Sequence, residues 1–287
     1  MTLAAAEASA LEARIEALFA LPQGSDAPDD ALRTLNRLLD ALEAGELRSA
    51  VRGDKGVWSA VPWVKRGILA AFRFGKLADL SPGDDTFSFV DKDTVPPQRF
   101  AVARGVRIVP GGSTVRRGAY IAAGVVCMPP MFVNVGAYVD AGTMIDSHAL
   151  VGSCAQVGAR CHISAAAQIG GVLEPVNASP VIIEDDVVVG GNTGVYEGTV
   201  VRARAVIAAG VVLTRGTPVY DLVRETVYRS EGDRPLEIPA GAVVVPGVRS
   251  VKTGWGASEA LGLQTPVIVK YRDEKTDLAT ALESWLR

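Results

Sequence analysis

An apolar residue recurs every six positions along the middle of this chain. The series runs Val109, Val115, Ile121, Cys127, Val133, Val139, Ile145, Val151, Val157, Ile163 and Ile169, and then Ile183, Val189, Val195, Val201, Ile207 and Leu213. Four residues after many of these comes a second small or branched side chain: Ala137, Thr143, Ala149, Ala155, Cys161 and Ala167. A helix repeats every 3.6 residues and an ordinary strand every two, so neither produces this step. A period of six predicts a parallel β-helix. Each hexapeptide supplies a short strand and a turn, three complete a triangular coil, and residues eighteen apart stack. One coil cannot bury its own apolar edge, so stability must come from stacked neighbours.

The step breaks twice. Ile183 follows Ile169 by fourteen residues where twelve would keep the period, which expels a loop around 173–180. After Leu213, residues 215–237 intervene before Ile238 and Val244 resume the step. Loops expelled from a regular scaffold are where function concentrates.

Residues 1–100 lack the period and are expected to form a mostly helical N-terminal domain. Leu11, Ile15 and Leu18 share one helical face; Leu32, Leu35, Leu39 and Leu42 share another, after Asp29 or Asp30 as cap and before Gly45 as stop. Residues 50–58 read as a hairpin turning on Gly53 and Gly56. A third helix near 62–72 would bury Val64, Ile68, Leu69 and Phe72. The Pro-, Gly- and Asp-rich stretch 81–97 reads as a linker. The β-helix is expected over 101–250. A C-terminal segment, 251–287, should hold a strand and a helix with Leu278, Leu282 and Trp285 on one face.

The formal net charge of −3 gives no global electrostatic case for nucleic acid or an anionic membrane. No segment approaches the ~18 uncharged apolar residues of a membrane span. The first twenty residues, with Glu7, Glu12, Arg14 and Glu16 among the apolar positions, read as an amphipathic helix and not a signal peptide. Three cysteines make no disulfide framework. Cys127 and Cys161 fall on inward positions, whereas Cys154 falls between them and is expected at the surface. A cytoplasmic location suits all three.

The segment MPPMFVNVGAYVDAGTMIDSHALVGSCAQVG, with GGVLEPVNASPVIIEDDVVVGGN after it, resembles the tetrahydrodipicolinate N-succinyltransferase family. The resemblance extends to WVKRGILAAFRF, VRIVPGGSTVRRGAYI and PVIVKYRDEKT, about four-fifths of the chain. It implies a left-handed parallel β-helix between a helical N-terminal domain and a short C-terminal segment. It also implies a homotrimer with active sites between subunits, and succinyl-CoA as co-substrate with no permanently bound cofactor. The implied reaction places a succinyl group on the amino group of tetrahydrodipicolinate, in lysine and diaminopimelate synthesis.

Strand alternation turns Asp146 outward after inward Ile145, between stacked Met128 and Ser164. A carboxylate there can orient an amine and accept its proton as the amide forms. The resemblance gives Asp146, in GTMID, the task of engaging the substrate's amino group. It matches Arg107 to a substrate-binding arginine and Arg73, in AFRF, to a second basic position; guanidinium suits a dicarboxylate. At one point the chain departs from the family. Its better-known members carry a glutamate, an acid toward the leaving thiolate, where this chain has Gly194. Glu197 or His148 is therefore a candidate to complete the proton path. Pantetheine needs a groove of little side-chain bulk, which Ser164, Ala166, Gly171 and Gly191 can supply, with Ala165, Gly170 and Gly190 beside them.

The departure at Gly194 also motivates an alternative, acetyl-CoA as donor or a related amino-dicarboxylate as acceptor. A metal-dependent β-helix hydratase would need three histidines; the chain has His148 and His162 alone. A purely structural solenoid leaves the GTMID and VGSCAQVG blocks without a purpose.

Overall fold

The computed structural model describes residues 3–83, 87–232 and 234–273. Three helices open the chain: α1 (Ala5–Phe19), α2 (Ala31–Glu43) and α3 (Pro62–Phe74). Leu11, Ile15 and Leu18 form the buried face of α1. On α2 the buried arc is Ala31, Leu35, Leu38, Leu39 and Leu42, an i, i+4, i+7, i+8, i+11 series. Leu32, expected on the buried stripe, stands one step off that arc and is exposed, and Leu38 takes its place. On α3, Val64 and Ile68 are buried as expected, with Trp63 and Phe74, while Leu69 and Phe72 lie at the rim. Strands Ala50–Arg52 and Trp58–Ala60 pair antiparallel around the Gly53–Gly56 turn.

The stretch 81–97 is not all linker. Leu77–Asp79 pairs antiparallel with Val90–Lys92, and Val95 joins the helical core. Thr94, buried beside it, donates its hydroxyl to the Ala71 carbonyl at 2.8 Å.

The remainder winds into a three-sided prism of two-residue strands. The first face stacks Tyr120–Ile121, Tyr138–Val139, Gln156–Val157, Ile182–Ile183, Val200–Val201 and Glu237–Ile238. The second stacks Arg107–Ile108, Val126–Cys127, Met144–Ile145, His162–Ile163, Val188–Val189 and Val206–Ile207. The third stacks Thr114–Val115, Phe132–Val133, Leu150–Val151, Gln168–Ile169, Gly194–Val195 and Val212–Leu213. Neighbours pair parallel, mostly at eighteen residues, as in Met144↔His162 and Ile145↔Ile163. The second residue of nearly every pair points inward, so the prism has one continuous apolar core.

The register departs from a strict step in three places. Ile108, not Val109, pairs with Cys127, because the Gly111–Gly112 turn holds one more residue than a hexapeptide allows. Ile169 and Ile183 lie on consecutive faces, so the expelled loop holds eight residues beyond a hexapeptide (14 − 6), not two beyond a pair. Between Leu213 and Ile238 the excess is nineteen (25 − 6), and part of it folds into a hairpin of Val219–Asp221 with Thr226–Tyr228.

The second face continues into Ala242–Ser250, which pairs antiparallel with Gly262–Tyr271. The C-terminal segment thus contains the expected strand; its expected helix, with Leu278, Leu282 and Trp285, lies outside the described residues. Among the described residues no helix is long and apolar enough to cross a membrane.

Cys127 and Cys161 are buried in the prism. Cys154, expected at the surface, is buried too, because the helical cluster packs over its turn. Burial pushes its thiol up to about 11 and that of Cys127 to about 12, so neither is a thiolate at neutral pH.

Candidate functional site

Asp146 stands at the end of a strand on the second face, where the chain turns toward the third. Its amide donates to the Ile163 carbonyl of the next coil at 2.8 Å. One carboxylate oxygen, Oδ1, accepts the Ser147 amide at 2.7 Å and so fixes the group against the turn. Oδ2 stands 3.8 Å from Nε2 of His162. That histidine follows Met144 by one coil and points outward from the same sheet. Both side chains are partly covered, at 31 % and 19 % exposure, so a ligand can reach the pair while solvent only partly screens it.

His148, the histidine proposed from sequence, sits in the left-handed turn beyond Asp146, with φ of 62°. It is exposed, and its amide donates to the Pro130 carbonyl. No contact between its ring and Asp146 occurs among the described residues. His162 was considered in the sequence only as a metal ligand. The stacking rule held the missing signal, since a residue sixteen positions after Asp146 lies on the adjoining coil of the same face.

Arg107 projects from the second face, its strand paired with that of Val126, which in turn pairs with that of Met144. Two inter-strand steps separate it from the Asp146 coil, roughly 10 Å along the prism axis. Arg73 is placed elsewhere. Its guanidinium donates to the carbonyls of Leu21 (2.9 Å) and Pro22 and stacks near the Phe74 ring, which ties α3 to the end of α1.

The edge between the second and third faces loses its bulk beyond Asp146. The stack Asp146, Ser164, Gly190, Ala208 runs beside Ser147, Ala165, Gly191, Ala209 and beside His148, Ala166, Asn192, Gly210. Among the described residues the turn amides of Ala165, Gly191 and Ala209 donate to no acceptor. The result is a narrow strip with stacked N–H groups open to a ligand, and it includes the sequence-selected Ser164, Ala166 and Gly191. Gly190 has a packing reason as well: a Cβ there would stand 2.4 Å from the Ala209 nitrogen. Gly171 is not part of the strip. It lies at the edge between the third and first faces, where it packs against Gly152 and Ser153.

Glu197 also lies at that other edge. It is exposed, and its carboxylate accepts the Arg215 amide at 2.7 Å, pinning the start of the second expelled segment. Next to it, the Tyr196 ring lies across Gly194; a Cβ at Gly194 would stand 2.4 Å from the ring. A glutamate at Gly194 therefore requires the ring to move. Within one chain, Glu197 and Asp146 do not meet.

A prism of stacked hexapeptides, with an outward carboxylate at the head of a bare strip, defines a hexapeptide-repeat transferase. Residues 180–215 match the family model described as hexapeptide repeat of succinyl-transferase, and residues 10–74 match tetrahydrodipicolinate N-succinyltransferase N-terminal. The chain belongs to the tetrahydrodipicolinate N-succinyltransferase family, and its prism is a left-handed parallel β-helix. It is 41 % identical to the 2,3,4,5-tetrahydropyridine-2,6-dicarboxylate N-succinyltransferase of Rhodopseudomonas palustris, over 97 % of this chain and 99 % of that one. It is likewise 41 % identical to the protein of the same name in Polynucleobacter asymbioticus, over 91 % of each chain. A solved Campylobacter jejuni structure titled as a 2,3,4,5-tetrahydropyridine-2-carboxylate N-succinyltransferase aligns with a TM-score of 0.43 and 17 % identity, over 82 % of this chain and 62 % of that one.

Proposed function

We propose that this chain transfers the succinyl group of succinyl-CoA to the amino group of ring-opened tetrahydrodipicolinate, in lysine and diaminopimelate synthesis. The observation that carries the reading is Asp146, an outward carboxylate beside His162 at the head of a strip of bare turns. The strip carries little side-chain bulk, as a slender pantetheine chain needs, and offers N–H donors to its amides. The free amine attacks the thioester carbonyl. The C–N bond forms as the carbonyl π pair moves to oxygen, and backbone N–H groups are suited to hold that oxyanion. Collapse expels the CoA thiolate while the nitrogen loses its proton toward Asp146. His162, next to the carboxylate, helps hold it oriented and stabilises its charge when protonated. Arg107, on the same face, takes a carboxylate of the acceptor. No acyl-enzyme is needed and no bound cofactor takes part.

The strip lies open at the prism surface, and a homotrimer in which a neighbouring copy closes it completes the site. The Glu197 edge is then available to the neighbour's strip. A cytoplasmic location accords with the acceptor and donor. Thiol release measured with succinyl-CoA and acetyl-CoA, each with tetrahydrodipicolinate, tests the reading. Turnover with succinyl-CoA is expected; a preference for acetyl-CoA would overturn the donor, and no turnover with either would overturn the acceptor.

A further inference from the structure

A second cavity, of about 170 Å³, lies on a different face of the prism, at its seam with the N-terminal hairpin. That is room for about six waters' share of liquid volume. Arg48 and Trp58 come from the hairpin side; Asp140, Gln156 and Asp185 come from successive coils of the prism. The cavity lies at the edge between the first and second faces, not at the Asp146 edge, and the acyl-transfer reading makes no use of it.

Arg48 is the unusual member. Its guanidinium carbon lies over the Tyr138 ring, 3.7 Å from the centroid, and its Nε donates to the Gln156 side-chain oxygen at 2.9 Å. Gln156 is itself buried and held by the carbonyls of Cys154 and Ala155. The arginine is thus gripped by its stem and face. Among the described residues its two terminal nitrogens donate to no acceptor. Four N–H bonds in a fixed plane consequently face the cavity. Burial presses this guanidinium below its ordinary value, yet arginine does not lose its proton in proteins, so the charge remains and its terminal N–H groups need acceptors.

Asp140 and Asp185 lie close enough to stabilise that charge, but neither forms an ion pair with Arg48 among the described residues. Glu184 is taken by Trp58 Nε1, Arg202 and the Ala203 amide, with Arg52, the second arginine of the lining, 3.5 Å away. Asp140 has one oxygen on the Ala141 amide and makes no ion pair among the described residues. Asp185 has one oxygen on the Ala159 amide, and Arg160 stands 3.6 Å from it while pairing closely with Asp186. Beside the Arg52–Glu184 pair, the cavity therefore presents one guanidinium fork without hydrogen-bond acceptors and two loosely committed carboxylates. Its complement carries one carboxylate and two ammonium groups.

We propose that this cavity binds a free basic amino acid, with its carboxylate on the Arg48 fork and its two ammonium groups on Asp140 and Asp185. Such a ligand bridges the hairpin and the prism, so binding tightens the seam between them. A bidentate guanidinium–carboxylate bond in a partly enclosed site is strong enough to dominate the recognition.

The experiment is calorimetric titration of the full chain with L-lysine, L-norleucine, which lacks the second ammonium, and cadaverine, which lacks the carboxylate. L-lysine is expected to bind saturably at one site per chain and to raise the melting temperature. Norleucine and cadaverine are expected to bind at least about tenfold more weakly, and Arg48→Met to lose about tenfold or more in lysine affinity. Absence of saturable lysine binding up to about 10 mM overturns the proposal, as does equal binding of norleucine. If Arg48→Met does not fold, Asp140→Asn decides: weakened lysine binding supports the site, and unchanged affinity overturns it.

Discussion

Nε2 of His162 stands 3.8 Å from Oδ2 of Asp146, although sixteen residues separate them in the chain. The β-helix makes them neighbours by adding one coil between them. This places a second titratable group at the proposed reaction centre and leaves His148 on an exposed turn. His162→Gln is expected to lower kcat by about 10²-fold, and His148→Ala to leave it within about threefold. Thiol release by folded variants measures both, and the reverse order would return the role to His148.

The bare strip makes a claim about binding separable from one about chemistry. At Gly191 a Cβ would stand 3.1 Å from the Ala165 carbonyl oxygen, a tight contact that a small shift relieves. Gly191→Ala narrows the strip without touching Asp146. It is expected to raise KM for succinyl-CoA about tenfold with little change in kcat, as loss of uniform binding does. A fall in kcat at unchanged KM would place the pantetheine elsewhere.

The six-residue period made most of the fold legible, because the inward positions of a prism admit almost nothing but apolar side chains. Ile145, Ile163 and Val189 could be placed before any coordinates. What the period cannot carry is insertion length. A hexapeptide step says nothing of how many residues leave the coil, so it hides both the length of the loop before Ile183 and the one-residue offset that puts Ile108 in the place of Val109. Cys154 was misjudged for a different reason. Its turn is outward in the repeat, and only the packing of the helical cluster buries it. The site was half legible. Asp146, Ser164 and Gly191 share an edge by simple arithmetic, and the same arithmetic excludes Gly171 and Glu197 from it. Arg73 was selected by motif alone; its carbonyl partners at Leu21 and Pro22 belong to tertiary structure.

The prism core sets the stability of the repeat region. Ile163 is wholly buried at its centre. Ile163→Val is expected to cost about 1 kcal/mol and Ile163→Ala about 3–4 kcal/mol, the second through the cavity it leaves. Urea denaturation of both variants measures the difference; equal costs would mean that the coils collapse onto the gap.

Glu184 links the hairpin to the prism and gives the seam a pH dependence. Burial pushes its carboxyl up, but the Trp58 N–H, Arg202 and the Ala203 amide outweigh this and hold it below its ordinary value. A carboxyl depressed in the folded state contributes stability above its unfolded value, near 4.3, and loses it as pH falls through the folded value. Glu184→Gln is expected to cost about 1–3 kcal/mol at pH 7, with the gap to the unmodified chain closing below about pH 4. Thermal unfolding across that range checks it; a constant gap would show that the charge does not matter.

The most direct measurement compares the unmodified chain with Asp146→Asn in thiol release from succinyl-CoA with tetrahydrodipicolinate. The amide keeps the shape and the bond to Ser147 but cannot accept the amine's proton. A loss of about 10²–10⁴-fold in kcat, with the melting temperature unchanged, is the expected result. Full activity in a folded Asp146→Asn protein would contradict the central assignment.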